Sequence, residues 1–161
     1  MKILIVSDTH RKDENLKKVI EKEKPFDRII HLGDIEENES VIQQMAGCPM
    51  DIVSGNNDFM GNLPKEKEIM IGDYRVLLTH GHYYYVSLDT KMLRREARAR
   101  NFDIAMYGHT HRPRIEEKED IVLLNPGSLS YPRQEGRKPS YIVMESDENG
   151  KTDFEIRYLD K

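Results

Sequence analysis

This chain has little cysteine, no tryptophan and no long hydrophobic run. Cys48 is the sole cysteine among 161 residues, which excludes a disulfide framework and a cysteine-ligated zinc site and fits a reducing compartment. No segment approaches the roughly 20 apolar residues of a membrane span, and the apolar run at the N-terminus is too short for a signal peptide. The net charge of −4 provides no overall basic field for nucleic acid, although a local basic patch is compatible with it. We therefore expect a cytoplasmic protein without a membrane partner, forming one domain over residues 1–161.

The first ten residues combine a buried strand with polar side chains. Ile3 to Val6 is an unbroken, largely β-branched run, which predicts a central parallel strand covered on both faces. Asp8, Thr9 and His10 follow directly, at the strand end where ligands bind in open α/β sheets. The next segments alternate between helix and strand, which indicates right-handed crossovers and a parallel sheet. They are a helix over 13–24, a strand over 27–34, a helix over 38–46 and a strand over 50–58.

The pattern changes after residue 67 and predicts a second sheet. A hairpin turns at Gly72-Asp73, a helix covers 89–100, and strands are expected over 103–111 and 121–128, followed by a hairpin across Asn149-Gly150. The inward side chains predicted for this helix are Leu88, Met92, Leu93, Ala97 and Ala99. Its four arginines fit a solvated face better than a phosphate- or RNA-binding face.

Five predicted strand ends carry potential metal ligands. They are Asp8/His10, Asp34, Asn56/Asn57/Asp58, His80/His82 and His109/His111. Imidazole, carboxylate and amide groups without thiolate favour Mn, Fe, Zn, Ni or Co. Seven candidate ligands are too many for one tetrahedral ion, so we expect two divalent ions, about 3.5 to 4 Å apart, sharing a carboxylate. Taken alone, each of these residues also has a structural explanation: Asp8 would cap the following helix, and a single histidine would be an ordinary loop residue.

The order of these motifs resembles that of the calcineurin-like metallophosphoesterases. The motifs are DTH at 8–10, GDIEE at 33–37, GNND at 55–58, THGH at 79–82, GHTH at 108–111 and NPGS at 125–128. The chain is most similar to the small bacterial and archaeal phosphodiesterase subgroup. The resemblance implies an α/β fold, a four-layer α/β/β/α sandwich of two mixed β-sheets flanked by helices. It also implies a dinuclear metal-dependent phosphodiesterase that uses a metal-bridging hydroxide, with two divalent ions expected to be Mn²⁺ and with Ni²⁺, Zn²⁺, Fe or Co²⁺ as alternatives.

The resemblance also implies roles for individual residues. Asp8, His10 and His111 would hold one ion, Asn56, His80 and His109 the other, and Asp34 would bridge them. Glu37 would orient a ligand imidazole, although a surface acid explains it equally well. His82 would contact phosphate or protonate the leaving group, with an ordinary loop histidine as the alternative.

Asn57 is a candidate catalytic residue, because it stands where many family members carry a catalytic histidine, and it is the main departure from the pattern. An amide does not release a proton near neutral pH, and general acid catalysis is worth about 10²–10⁴-fold. We therefore expect good turnover of activated aryl phosphodiesters and poor turnover of alkyl monoesters. Asp58 is expected to brace its turn. Ser128 and Arg133 are predicted substrate contacts. Arg133, with Arg112 and Arg114, would add positive charge at the mouth of the site, and ordinary surface arginines are the alternative for all three.

Substrate and assembly stay open at this point. The substrate would be a phosphodiester small molecule or a nucleotide; nucleic acid is not excluded, and a homo-oligomer is compatible with the sequence. The alternative function is a protein-binding scaffold on the same fold, like a retromer subunit of this family that lacks part of the catalytic histidine set. Every ligand position is filled here, which favours the enzyme. A redox or oxygen-activating metal protein is disfavoured by the order of the motifs.

Overall fold

The structure is a computed structural model that describes residues 1–59, 61–118 and 120–160. Its helices are α1 (Glu14–Glu23), α2 (Glu39–Ala46) and α3 (Lys91–Ala99), with a short 3₁₀ turn at His82–Tyr84. Its strands are β1 (Lys2–Val6), β2 (Arg28–His31), β3 (Met50–Ile52), β4 (Glu66–Ile71), β5 (Tyr74–Thr79), β6 (Ile104–Met106), β7 (Pro113–Lys118), β8 (Ile121–Pro126), β9 (Ser140–Ser146) and β10 (Thr152–Tyr158). In this part of the chain, no helix combines the length and hydrophobicity needed to cross a membrane.

The first sheet has the strand order β10-β9-β1-β2-β3. Strands β1, β2 and β3 are parallel, because α1 and α2 provide the crossovers, whereas β9 runs antiparallel to both β1 and β10. In β1, Ile3 and Ile5 face the second sheet, and Leu4 and Val6 face α1 and α2. Both faces of β1 are therefore covered, as its unbroken apolar run predicts.

The second sheet has the order β4-β5-β6-β8-β7. Its parallel centre, β5-β6-β8, is flanked by antiparallel strands β4 and β7. Strand β7 is not predicted by the sequence pattern, because the segment PRIEEK is charged and has no apolar alternation. As an edge strand it needs only one partner, and its backbone pairing with β8 over Pro113–Lys118 decides its conformation.

Three buried clusters separate four layers. One lies between α1, α2 and the first sheet, one between the two sheets, and one between α3 and the second sheet. The fold is thus the expected α/β/β/α sandwich of two mixed sheets. On α3, Leu93 and Ala97 are buried as predicted, but Leu88, Met92 and Ala99 are exposed, so those three predictions are wrong. Leu88 precedes the helix. On the helix itself, Arg94 is also buried, and it forms an ion pair with Glu116 at 2.8 Å.

Candidate metal centre

The loops that follow the strands are joined in pairs by backbone hydrogen bonds, the loop after β1 to the loop after β2 and the loop after β5 to the loop after β6. Asp8 N–H donates to the Gly33 carbonyl at 3.0 Å, His10 N–H to the Asp34 carbonyl at 2.9 Å, and Gly108 N–H to the His80 carbonyl at 3.0 Å. The observed strands β2, β3 and β6 end earlier than predicted, at His31, Ile52 and Met106. The polar residues therefore lie in loops at one edge of the two sheets, which is how side chains distant in sequence meet.

Two carboxylates lie at the centre of the site. Asp8 Oδ1 lies 3.2 Å from His111 Nε2, 3.6 Å from His10 Nε2 and 3.8 Å from His80 Nε2. Asp34 Oδ2 lies 3.4 Å from His80 Nε2 and 3.8 Å from His10 Nε2. One ligand atom from each of Asp8, His10 and His111 lies within 4.8 Å of the others, and the same holds for Asp8, Asp34 and His80. Asp8 therefore belongs to both groups.

Asn56 and His109 complete the set of seven predicted ligands. His109 Nδ1 and Asn56 Oδ1 are 3.1 Å apart, and the rings of His80 and His109 have centroids 5.1 Å apart. The structure thus brings all seven side chains together.

The buried polar atoms at this centre fit a divalent cation. Asp8 Oδ1 and His80 Nε2 are buried and form no hydrogen bond with the described residues. The Nε2 atoms of His10 and His111 face each other at 3.2 Å. Unpaired buried acceptors and converging ring nitrogens are costly without a partner, and a cation between them would satisfy both.

The electrostatics keep the central carboxylates ionised. Burial raises the pKa of Asp8, but the neighbouring imidazoles of His10, His111 and His80 outweigh it and hold that pKa well below its usual value. Burial lowers the pKa of His80, but the carboxylates of Asp34 and Asp8 outweigh it and raise the pKa to about 9. Burial, together with the positive charge of His80, lowers the pKa of both His82 and His109. Metal binding at this site would therefore displace a proton from His80.

The imidazoles are oriented through their other ring nitrogens. His80 Nδ1–H donates to the Leu32 carbonyl at 2.7 Å, and His111 Nδ1–H donates to the Tyr131 carbonyl at 2.7 Å. His10 Nδ1 lies 2.8 Å from Glu36 Oε2. In each case Nε2 is left facing the carboxylates, the arrangement by which metal-binding histidines are held in one tautomer.

The acid that orients an imidazole is Glu36, whereas the sequence motif pointed to Glu37. Glu37 lies three residues beyond Asp34 and is directed at Asp13 instead, and burial together with that carboxylate raises the pKa of Glu37 to about 7. Of the two interpretations of Glu37, the one in which it orients an imidazole is wrong. Glu36, whose backbone has a left-handed conformation at φ 56°, contacts His10 instead.

Asn57 and Asp58 both act on the loop of Asp34. The Asn57 backbone N–H donates to Asp34 Oδ1 at 2.9 Å, and its side-chain amide donates to Asp34 Oδ2 at 3.0 Å. Asp58 accepts three backbone N–H bonds, from Asp34 and Gly55 to Oδ2 at 2.7 Å each and from Glu36 to Oδ1 at 2.8 Å. Asp58 thus braces its turn as expected, and it joins that turn to the loop of Asp34.

The remaining predicted residues lie at different depths. The ring centroid of His82 is 5.4 Å from that of His80, so His82 borders the centre. Arg133 is exposed, and its backbone N–H donates to the His111 carbonyl at 3.0 Å. Ser128 is fully buried, and its Oγ donates to the Asp8 carbonyl at 2.7 Å, so it holds the Asp8 loop and cannot reach a substrate. The substrate contact predicted for Ser128 is corrected accordingly.

His31 is a site residue that sequence analysis left without a role. It is buried, and burial lowers its pKa to about 4, so the ring is neutral. Its Nδ1 accepts from Gly33 N–H at 3.1 Å, which leaves the proton on Nε2, 3.0 Å from Thr9 Oγ1. His31 therefore connects the loops of Asp8 and Asp34. The sequence feature that could have indicated this role is a histidine inside an apolar strand, two residues before the glycine of a GD motif.

Backbone conformation also marks this centre. Five of the predicted ligands have left-handed φ values between 48° and 72°: Asp8, His10, Asp34, His109 and His111. Such conformations cost free energy in residues with side chains and cluster at functional sites. Gly108 permits the close approach, since a Cβ there would lie 2.2 Å from Ser7 Oγ and 2.7 Å from Asp8 Oδ2.

Comparison with known proteins agrees with this geometry. Residues 1–149 match the sequence profile described as the calcineurin-like phosphoesterase superfamily domain. The chain belongs to this family. It is therefore a hydrolase of the metallophosphoesterase group, as the order of its motifs predicts.

Curated relatives come from the same family. A probable metallophosphoesterase of Methanocaldococcus jannaschii is 36% identical over 136 residues, covering 83% of this chain and 70% of the relative. A phosphodiesterase of the same organism is 32% identical over 147 residues, covering 79% and 83%.

Solved structures share the fold. A predicted phosphoesterase of Streptococcus pneumoniae superposes with a TM-score of 0.80 at 26% identity, covering 97% of both chains. A structure described as a novel archaeal phosphodiesterase has a TM-score of 0.72 at 26% identity, covering 98% of this chain and all of the other. Vacuolar protein sorting 29 of Cryptosporidium parvum has a TM-score of 0.76 at 21% identity, covering 99% and 98%, a likeness of fold alone.

Proposed function

We propose that this chain is a dinuclear metal-dependent phosphodiesterase. The observation that carries the proposal is the pair of overlapping ligand groups that share Asp8, with Asn56 and His109 beside them. Two divalent ions held there would lower the pKa of water and neutralise charge on a phosphoryl group. Mn²⁺ is the ion we propose, because carboxylate, amide and imidazole ligands without thiolate accommodate it.

The choice of a diester over a monoester rests on Asn57 and on the relatives. The amide of Asn57 donates to Asp34 and has no proton to give a leaving group near neutral pH. Diesters with activated leaving groups need such a proton least. The phosphodiesterase relative and the archaeal phosphodiesterase structure support the same substrate class. We propose a small phosphodiester or a nucleotide as substrate, acted on in the cytoplasm.

Individual residues take distinct parts in this proposal. Asp8, His10 and His111 would hold one ion, and Asn56, His80 and His109 would hold the other. Asp34 would serve both, since its Oδ2 lies 3.8 Å from His10 Nε2 and 3.4 Å from His80 Nε2. His82 borders the centre and would contact the phosphoryl group, and the exposed Arg133 would add positive charge beside His111. Asn57 keeps Asp34 in position through two hydrogen bonds.

Hydrolysis of bis-p-nitrophenyl phosphate tests the proposal. Protein stripped with a chelator should be inactive, and Mn²⁺ should restore activity with two equivalents bound. Asp34→Asn should bind metal more weakly and lose at least about 100-fold in kcat/KM, since it removes the bridging charge. Asp73→Asn, an exposed acid in the β4–β5 turn, is the matched control and should behave as wild type. Equal activity with and without metal, or in the Asp34→Asn variant, would refute the proposal.

A protein-binding scaffold on the same fold is the alternative function. The complete ligand set argues against it, since a scaffold has no need of seven converging ligands. The scaffold would gain support if the protein bound no metal, hydrolysed no ester and formed a stable complex with a protein partner. Comparable turnover of p-nitrophenyl diesters and alkyl monoesters would separately contradict the substrate preference.

A further inference from the structure

A basic groove lies between α3 and β7, on the outer side of the second sheet. Its cationic residues are Lys91, Arg94, Arg95, Arg98, Arg114 and Lys118, and Asp89, Thr90 and Glu116 complete the lining. Arg114, Glu116 and Lys118 alternate along β7, so their side chains point to the same face, towards the helix. The cavity has a volume of about 600 Å³, within the range of small-molecule sites.

The charge of this groove is opposite to that of the whole chain. Among the described residues, six cationic side chains and two carboxylates line it, so this described lining carries a net charge of +4, whereas the whole chain has a net charge of −4. Concentration of one sign of charge in a concave surface raises the local potential and attracts the opposite ion. The groove therefore favours an anion.

The carboxylate at the centre of the groove is already engaged. Glu116 accepts from Arg94 Nη2 at 2.8 Å, from Arg114 Nε at 2.9 Å and from Thr90 Oγ1 at 3.1 Å. Arg94 is fixed further by donating to the Lys118 carbonyl at 2.7 Å. Within the described residues, the side chains of Lys91, Arg95 and Lys118 form no hydrogen bond or ion pair. One wall of the groove is thus rigid, and the three side chains Lys91, Arg95 and Lys118 are available to a ligand.

We infer that this groove binds a compact anion carrying several phosphate groups. Guanidinium groups match phosphate oxygens with paired hydrogen bonds, and ammonium groups add point charges. No aromatic side chain lies in the described lining, whereas proteins that bind single-stranded nucleic acid stack bases on aromatic rings. The groove thus provides for phosphate groups and not for bases. The inference does not depend on the activity of the metal centre.

Calorimetric titration with sodium tripolyphosphate, on chelator-treated protein at low salt, tests this inference. We expect one tripolyphosphate per chain, binding more tightly than orthophosphate and weakening as salt rises. Arg95→Glu should weaken binding about tenfold or more, because it replaces an attraction by a repulsion. Lys18→Glu makes the same type of charge reversal on the exposed face of α1 and should change the affinity less than about twofold. Circular dichroism of each variant checks the fold, and Arg95→Gln should give an intermediate affinity.

Three results would overturn the inference. The first is absence of measurable heat with tripolyphosphate at millimolar concentration. The second is an equal effect of Arg95→Glu and Lys18→Glu, which would indicate a diffuse field and not a site. The third is binding of an octathymidylate strand by protein that does not bind tripolyphosphate, which would assign the groove to nucleic acid.

Discussion

Asp58 is expected to stabilise the site loops through a single carboxylate. Its two oxygens accept three backbone N–H bonds, from Asp34, Gly55 and Glu36 at 2.7 to 2.8 Å. Asp58→Asn keeps an acceptor only at one of the two positions. With the amide oxygen placed at Oδ2, the bonds from Asp34 and Gly55 survive without the negative charge, and the amide NH₂ faces the Glu36 N–H, donor against donor.

The magnitude follows from this count. A hydrogen bond to a charged group contributes about 1.5–3 kcal/mol, and a buried group left unpaired costs about 1–3 kcal/mol. Loss of one bond and weakening of two others should lower the free energy of unfolding by about 2–3 kcal/mol. Asp58→Ala removes all three bonds and should cost more.

Urea unfolding followed by circular dichroism, with chelator present, measures this difference. Asp73→Asn has the same change of charge in an exposed turn and should stay within about 0.5 kcal/mol of wild type. The displaced Asp34 loop should also weaken Mn²⁺ binding in Asp58→Asn. If Asp58→Asn unfolds within 0.5 kcal/mol of wild type, the three bonds do not stabilise these loops and the reasoning fails.

Three further predictions concern packing and pH. Gly108→Ala should cost about 1–3 kcal/mol in the same urea assay and weaken metal binding, because its Cβ would meet Ser7 Oγ at 2.2 Å. Gly136→Ala has open space for its Cβ but a left-handed φ of +80°, so it should cost stability through backbone strain and leave metal binding unchanged. Burial raises the pKa of Glu23, but hydrogen bonds from Tyr141, Lys2 and Arg157 outweigh burial and lower this pKa. The ionised carboxylate therefore stabilises the fold above its unfolded pKa, and this stabilisation is lost as pH falls through the lowered pKa of the folded state. The melting temperature should accordingly drop less on acidification in Glu23→Gln than in wild type. The pKa of Glu37 shifts in the opposite direction, because burial beside Asp13 raises it to about 7. The free energy of unfolding should therefore fall as pH rises from about 4.5 to 7, and Glu37→Gln should remove that fall. If the pH profile of the melting temperature is the same in Glu37→Gln and wild type, the contact with Asp13 is contradicted.

The sequence by itself determined the family, the layers of the fold and the seven side chains that meet at the candidate metal centre. Short apolar strands, amphipathic helices and polar residues directly after the strands are local patterns, and each depends on a few neighbouring side chains. The run Ile3 to Val6 required cover on both faces, and the two sheets with α1 and α2 provide it. That the chain forms a single domain over 1–161 stays a prediction.

Only the tertiary structure decided what the loops around the ligands do. Glu36 and not Glu37 contacts His10, because the backbone conformation of one loop residue redirects both side chains. Ser128 is buried and donates a hydrogen bond to the Asp8 loop. The charged segment of β7 forms a strand because its backbone pairs with β8. The basic groove forms where α3 packs near β7, so its residues have no common motif. These features depend on contacts between segments far apart in the chain, so local sequence patterns do not predict them.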